Sequence, residues 1–202
     1  KPDSAFFGLR GLLQLSLKSD NRSEALDYAE RAHRLRPRNP SVLVTLFDLL
    51  LGAKRWDRAL TLLVDAQKAD IFNEDELTRR RALLITAKAE DAITDGENAE
   101  AIKLLRKALN ARPDFTGAAV LLARLYADID QPAKARDVAQ QSWQTSPSAA
   151  LGQIYLDSLS EDALAKVKAV EKLIAANPEH VESQLLLAEA ALSADLWSMA
   201  RS

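Results

Sequence analysis

A 34-residue spacing of small residues narrows the fold of this chain more than any other feature. Ala25 and Ala59 stand 34 residues apart, as do Ala101 and Ala135, and Pro113 and Pro147. Ala32, Ala66 and Ala108 each follow the first alanine of their unit by seven residues. That interval is close to two helical turns, so both alanines of a unit lie on one helix face. A small side chain at a helix crossing lets two helices approach where a larger one would hold them apart. Proline, which has no N–H to donate and restricts the residue before it, ends one helix and admits the next. A single helical hairpin cannot bury its apolar face, so such hairpins stack and share one core.

The same form returns along the chain as "ALDYAERAHRLRPRNP", "AIKLLRKALNARPDF", "ARDVAQQSWQTSPSA" and, more loosely, "VEKLIAANPEHV", with Pro37, Pro113, Pro147 and Pro178 closing the units. Alanines on the second helix and a terminal proline at this period are the tetratricopeptide repeat pattern. The expected fold is all-α, a right-handed superhelical solenoid of antiparallel helix pairs. Its units are expected at residues 6–39, 40–73, 74–115, 116–147, 148–178 and 179–202, forming a single array over 1–202.

Departures from the period carry information of their own. Ile71 stands where the other units have proline. Ala59 and Ala101 are 42 residues apart, so an insertion lengthens the next helix A through "NEDELTRRRALLITAKAEDAI", with Asn73 as its N-cap and acidic residues in its first turn. The fifth unit is 31 residues from proline to proline, and its alanines fall out of register. The sixth begins near Val181. Trp56 and Trp197 hold equivalent positions, which leads to the expectation that the last unit is truncated before its helix B.

Composition removes several functions. With 27 Lys plus Arg against 29 Asp plus Glu, the net charge of −2 lacks the basic balance of a nucleic-acid binder. The absence of cysteine removes disulfides, thiolate ligands and Cys nucleophiles. No Gly-rich phosphate loop, G-x-S-x-G elbow, H-E-x-x-H or calcium loop occurs. His33 and His180 have no second ligand at motif spacing and read as structural or surface histidines. Glu74, Asp75 and Glu76 read as helix-start acids. Arg34, Arg36 and Arg38 decorate a helix C-terminus, and Arg79, Arg80 and Arg81 point in three directions around one helix. The expectation is a non-enzyme with no cofactor and no metal.

What remains is surface recognition. Arrays of this kind offer the face formed by their A helices to an extended or helical partner. In register, that face comprises Arg10, Gln14, Val44, Asp48, Leu51, Thr86, Glu90, Val120, Arg124 and Asp128. It lacks the Lys and Asn pattern by which chaperone-cochaperone tetratricopeptide domains hold a C-terminal carboxylate. A generic peptide-binding adaptor for envelope assembly or chaperone work is the alternative reading.

The stretches "FFGLRGLL", "ALDYAERAHRLRPRNP", "LFDLLLGAKRWDRALTLL" and "RRRALLITAKA" resemble the C-terminal repeat region of HemY, especially the alphaproteobacterial version. The resemblance covers most of the chain and is strongest over residues 5–90. It implies a non-enzymatic scaffold or regulator of late haem-biosynthesis enzymes, held at the bacterial inner membrane by an N-terminal hydrophobic segment, with the repeats on the cytoplasmic side. The start at "KPDSAFF", without Met, leads to the expectation of a fragment lacking that anchor. The resemblance carries no catalytic residue, and the dinucleotide-binding Gly-rich motif of the unrelated oxidase that shares the HemY name is absent.

Overall fold

The structure is a computed structural model and describes residues 2–159 and 162–194. The described residues form α1 (Pro2–Lys18), α2 (Arg22–Leu35), α3 (Pro40–Gly52), α4 (Trp56–Lys68), α5 (Glu74–Thr94), α6 (Asn98–Ala111), α7 (Thr116–Asp128), α8 (Pro132–Trp143), α9 (Ala149–Asp157), α10 (Ala163–Ile174) and α11 (Val181–Ser193), with no strand among them. Helix A and helix B therefore alternate as the repeat requires. The expected equivalence of Trp197 with Trp56, and with it the truncation of the last unit, lies outside the described residues. No described helix is long and apolar enough to cross a membrane.

The chain divides into two compact units, Lys1–Lys88 and Ala89–Ser202. In the first, Leu13 of α1 and Ala25 and Ala29 of α2 join Leu43, Leu46, Phe47 and Leu50 of α3 and Leu62 and Leu63 of α4 in one core. Leu77 and Leu84 bring α5 onto it. Phe6, Leu9, Ala32 and Val42 make a smaller cluster beside it. In the second, Ala119, Ala139, Trp143, Leu151, Tyr155, Val170 and Leu186 connect α7 to α11. All the alanines that set the period are buried: Ala25, Ala32, Ala59, Ala101 and Ala108 at 0 %, Ala135 at 1 % and Ala66 at 2 % exposure. Here the link from sequence to packing is direct, because a Cβ is the largest group these crossings admit.

Four of the hairpin turns are built from one device. Asp20 (φ 53°), Lys54 (φ 54°), Gly96 (φ 80°) and Asp130 (φ 58°) take the left-handed conformation just after a helix A. At the first turn the Asp20 N–H donates to the Leu17 carbonyl at 3.3 Å and the Asn21 N–H to the Ser16 carbonyl at 2.8 Å. The same pair of bonds recurs at Lys54 and Arg55, Gly96 and Glu97, and Asp130 and Gln131. This Schellman closure satisfies helix carbonyls that would otherwise be orphaned. It also explains the missing proline at Ile71. Asp70 (φ 53°) closes α4 in the same way, and the Ile71 N–H donates to the Ala66 carbonyl at 3.1 Å, a bond proline could not make.

The insertion lengthens helix A as expected: α5 has 21 residues where α3 has 13. Asn73 caps it reciprocally. Its Oδ1 accepts from the Glu76 N–H at 2.9 Å, and its own N–H donates to Glu76 Oε2 at 3.1 Å, which makes a capping box. In the fifth unit α9 is only 9 residues long, and Asp162 starts α10 by accepting from the Leu164 and Ala165 N–H groups. A shortened helix A accounts for the lost register there.

Candidate partner-binding faces

Of the expected surface residues, Arg10 and Gln14 on α1, Val44 and Asp48 on α3, and Arg124 and Asp128 on α7 stand at i, i+4 spacing. That spacing puts both members of a pair on one face. Gln14, Asp48, Arg124 and Asp128 are exposed, Val44 is 42 % exposed, and Arg10 is half-buried with its guanidinium 5.9 Å from the Phe6 ring centroid. Glu90 is exposed near the end of α5.

Thr86 requires a correction. It is only 6 % exposed, and its hydroxyl donates to the Ala82 carbonyl at 2.9 Å within α5. Counting from the 34-residue period across the longer α5 thus puts a buried residue on the expected face. Leu51 and Val120 are likewise half-buried and pack against the cores of their units.

The polar clusters that draw the eye in the sequence are chiefly structural. His33 is buried at 4 % exposure, with Nε2 at 3.3 Å from Asp65 Oδ2, so it ties α2 to α4 and has no open face for an axial ligand. His180 caps α11: its Nδ1 accepts from the Glu182 N–H at 3.1 Å. Arg34 pairs with Glu30 at 3.8 Å, and Arg36 pairs with Asp3 while its guanidinium lies 4.5 Å from the Phe6 ring centroid. Arg38 is exposed. Arg80 stacks over Phe72 at 4.1 Å, whereas Arg79 is exposed. Among the described residues there is no group of three or more His, Asp or Glu side chains that could hold a metal ion.

A second candidate surface on helices A was not legible in advance. Within the 89–202 unit, α7 contacts α9 and α9 contacts α11. A cleft of about 450 Å³ lies between α9 and α11, lined by Ala149, Ala150, Gln153, Glu182, Leu185, Leu186 and Glu189. Leu185 is 58 % exposed at its edge, with Glu189 one turn further along α11. An exposed leucine flanked by carboxylates suits a partner segment that is apolar and basic. Its residues escaped the register because the fifth unit is short.

Tyr155 ties α9 to α10. It is 6 % exposed and donates to the Ala169 carbonyl at 3.3 Å. Burial raises its phenol above the ordinary value of 10.0, and Arg136 offsets part of that rise.

A family model for the tetratricopeptide repeat matches residues 16–71 and 92–154, more than half of the chain. A curated relative, the probable magnetosome protein Mms48 of Magnetospirillum gryphiswaldense, is 26% identical over 160 residues. The match covers 77% of this chain and 34% of the relative, so the chain spans about a third of that protein's length. Among solved structures, a tetratricopeptide repeat protein from Parabacteroides merdae aligns with a TM-score of 0.48 at 15% identity, covering 98% of this chain and 77% of that one. Pseudomonas aeruginosa pilF aligns with a TM-score of 0.46 at 15% identity, covering 99% and 89%.

Proposed function

Because the chain belongs to the tetratricopeptide repeat family, we propose that it is a non-enzymatic protein-interaction scaffold whose helix A faces receive an extended or helical segment of a partner protein. The observation that carries this reading is the set of exposed side chains on those helices that no core uses: Gln14, Asp48, Arg124 and Asp128, with Leu185 and Glu189 on α11. Near-neutral charge argues for protein partners over nucleic acid.

The biological setting proposed is that of a HemY-like scaffold for late haem-biosynthesis enzymes, attached to the bacterial inner membrane through an N-terminal anchor, with the repeats on the cytoplasmic side. Its support is the likeness of residues 5–90 to the HemY repeat region. A second setting, a magnetosome-associated scaffold, has the match to the Magnetospirillum relative in its favour. Affinity capture from native membranes with the full-length protein separates the settings. Enrichment of late haem-pathway enzymes supports the first, enrichment of magnetosome proteins the second, and recovery of neither while other proteins are enriched leaves a general adaptor for envelope assembly or chaperone work.

A further inference from the structure

A further cleft in the 89–202 unit lies away from the Arg124 and Asp128 face and has its own chemistry. It encloses about 780 Å³ between α6 and α8, with α7 contributing Leu122 and Tyr126. On α7 the Leu122–Tyr126 row and the Arg124–Asp128 row are offset by two residues, about 200° around the helix. The two surfaces are therefore independent.

Tyr126 is 2 % exposed, so its ring is a fixed part of the cleft. Its hydroxyl accepts from Arg106 Nη2 at 2.7 Å, and the Arg106 guanidinium carbon is 5.8 Å from the ring centroid. Lys134, in the first turn of α8, sets its Nζ 5.6 Å from the same centroid. Two cations from different helices thus converge on one buried phenol ring. Neither forms an ion pair among the described residues. A guanidinium tethered through one N–H keeps its remaining donors for a carboxylate, and the tether removes much of the rotamer entropy that an exposed arginine would lose on binding. Leu109 and Val138 add apolar surface beside it.

The geometry points to a binding site for a carboxylate-bearing peptide segment in the α6–α8 cleft, with Arg106 and Lys134 as the carboxylate partners and Tyr126 as the group that positions Arg106. The segment is an acidic one with interspersed apolar residues, matching the two cations and the Leu109 and Val138 walls. Asp137, which also lines the cleft, repels an acidic segment but is outnumbered by the two cations, and it sets a limit on how many carboxylates fit. This site does not rest on the helix A reading: either surface can be occupied without the other.

The test uses the whole 202-residue chain and a capped short peptide of alternating Glu and Leu, with its Gln–Leu counterpart as control. Amide NMR shifts locate the peptide and calorimetry measures its affinity. The expected result is shifts clustered on α6, α7 and α8, binding by the Glu peptide only, and a loss of about tenfold or more in affinity for Arg106→Gln and for Lys134→Gln, in keeping with hydrogen bonds to charged groups. Tyr126→Phe, which keeps the ring and releases Arg106, weakens binding by a smaller factor. Lys107→Gln removes the same charge from α6 outside the cleft and leaves affinity unchanged. Absence of binding by the Glu peptide, shifts confined to the Arg124 and Asp128 face, or equal weakening by Lys107→Gln and Arg106→Gln each overturns the assignment.

Discussion

Gly152 is where the packing of the 89–202 unit is most sharply testable. A Cβ added there would stand 2.9 Å from Leu186 Cδ1 and 3.3 Å from both Leu186 Cδ2 and Trp143 Cζ3. Leu186 is 4 % and Trp143 0 % exposed, so neither has open space to move into. For Gly152→Ala two effects oppose. Replacing glycine inside a helix gains about 1 kcal/mol of propensity, while overpacking a filled core costs about 1–3 kcal/mol. The clash wins or balances, and the net change expected in the wild-type background is a loss of up to about 2 kcal/mol.

The argument is stronger as a cycle. Leu186→Ala alone removes the offending methyls at a cost of about 2–5 kcal/mol. In that background Gly152→Ala should be stabilising by up to about 1 kcal/mol, because mainly the propensity gain remains. The coupling between the two sites is then about 1–3 kcal/mol. Denaturant unfolding followed by far-UV circular dichroism gives the stabilities, and amide hydrogen exchange in α9 and α11 localises the change, which matters because repeats can open separately. A single Gly152→Ala variant more stable than wild type by about 1 kcal/mol, or effects additive to within about 0.5 kcal/mol, would refute the close approach.

Other outcomes follow from the turns, the cap and the buried phenol. Gly96→Ala should destabilise by about 1 kcal/mol, because φ there is 80°, whereas Asp130→Gly should be neutral to stabilising by a similar amount; thermal melts of both check this. Asn73→Ala should cost about 1 kcal/mol through loss of the capping box and should raise exchange first at the start of α5. The folded-state value of Tyr155 is raised, so its contribution to stability is present below pH 10.0 and is lost as pH rises through the folded value. An alkaline titration of the unfolding midpoint should fall more steeply above that pH for wild type than for Tyr155→Phe, and parallel curves would contradict it.

The repeat was legible because its physics leaves a mark on single residues. A helix crossing that admits only a methyl group demands Ala25, Ala59, Ala101 and Ala135, and the chain length between crossings fixes their period. The long α5 and its Asn73 cap were legible for a similar reason, since an insertion must go somewhere and a cap has few residue types to choose from. The turns were not. Three of the four hairpin turns use Asp or Lys in a left-handed conformation that only Gly96 advertises. Face assignments failed where the period is broken: Thr86 on the long α5 is buried, and the short α9 hid Gln153 and Leu185. The cleft around Tyr126 collects Arg106, Tyr126 and Lys134 from three helices. No spacing rule links such positions.

The central claim is that exposed helix A side chains recognise a partner without holding the fold together. The direct measurement is the affinity of each partner captured from native membranes for wild type, for Asp48→Lys and for Arg124→Glu, with the melting temperature of each variant taken in parallel. The account predicts that at least one of these charge reversals weakens a captured partner by about tenfold or more, while surface substitutions of this kind leave stability within about 0.5 kcal/mol. Unchanged affinity for every captured partner in both variants, with the fold intact, would contradict it.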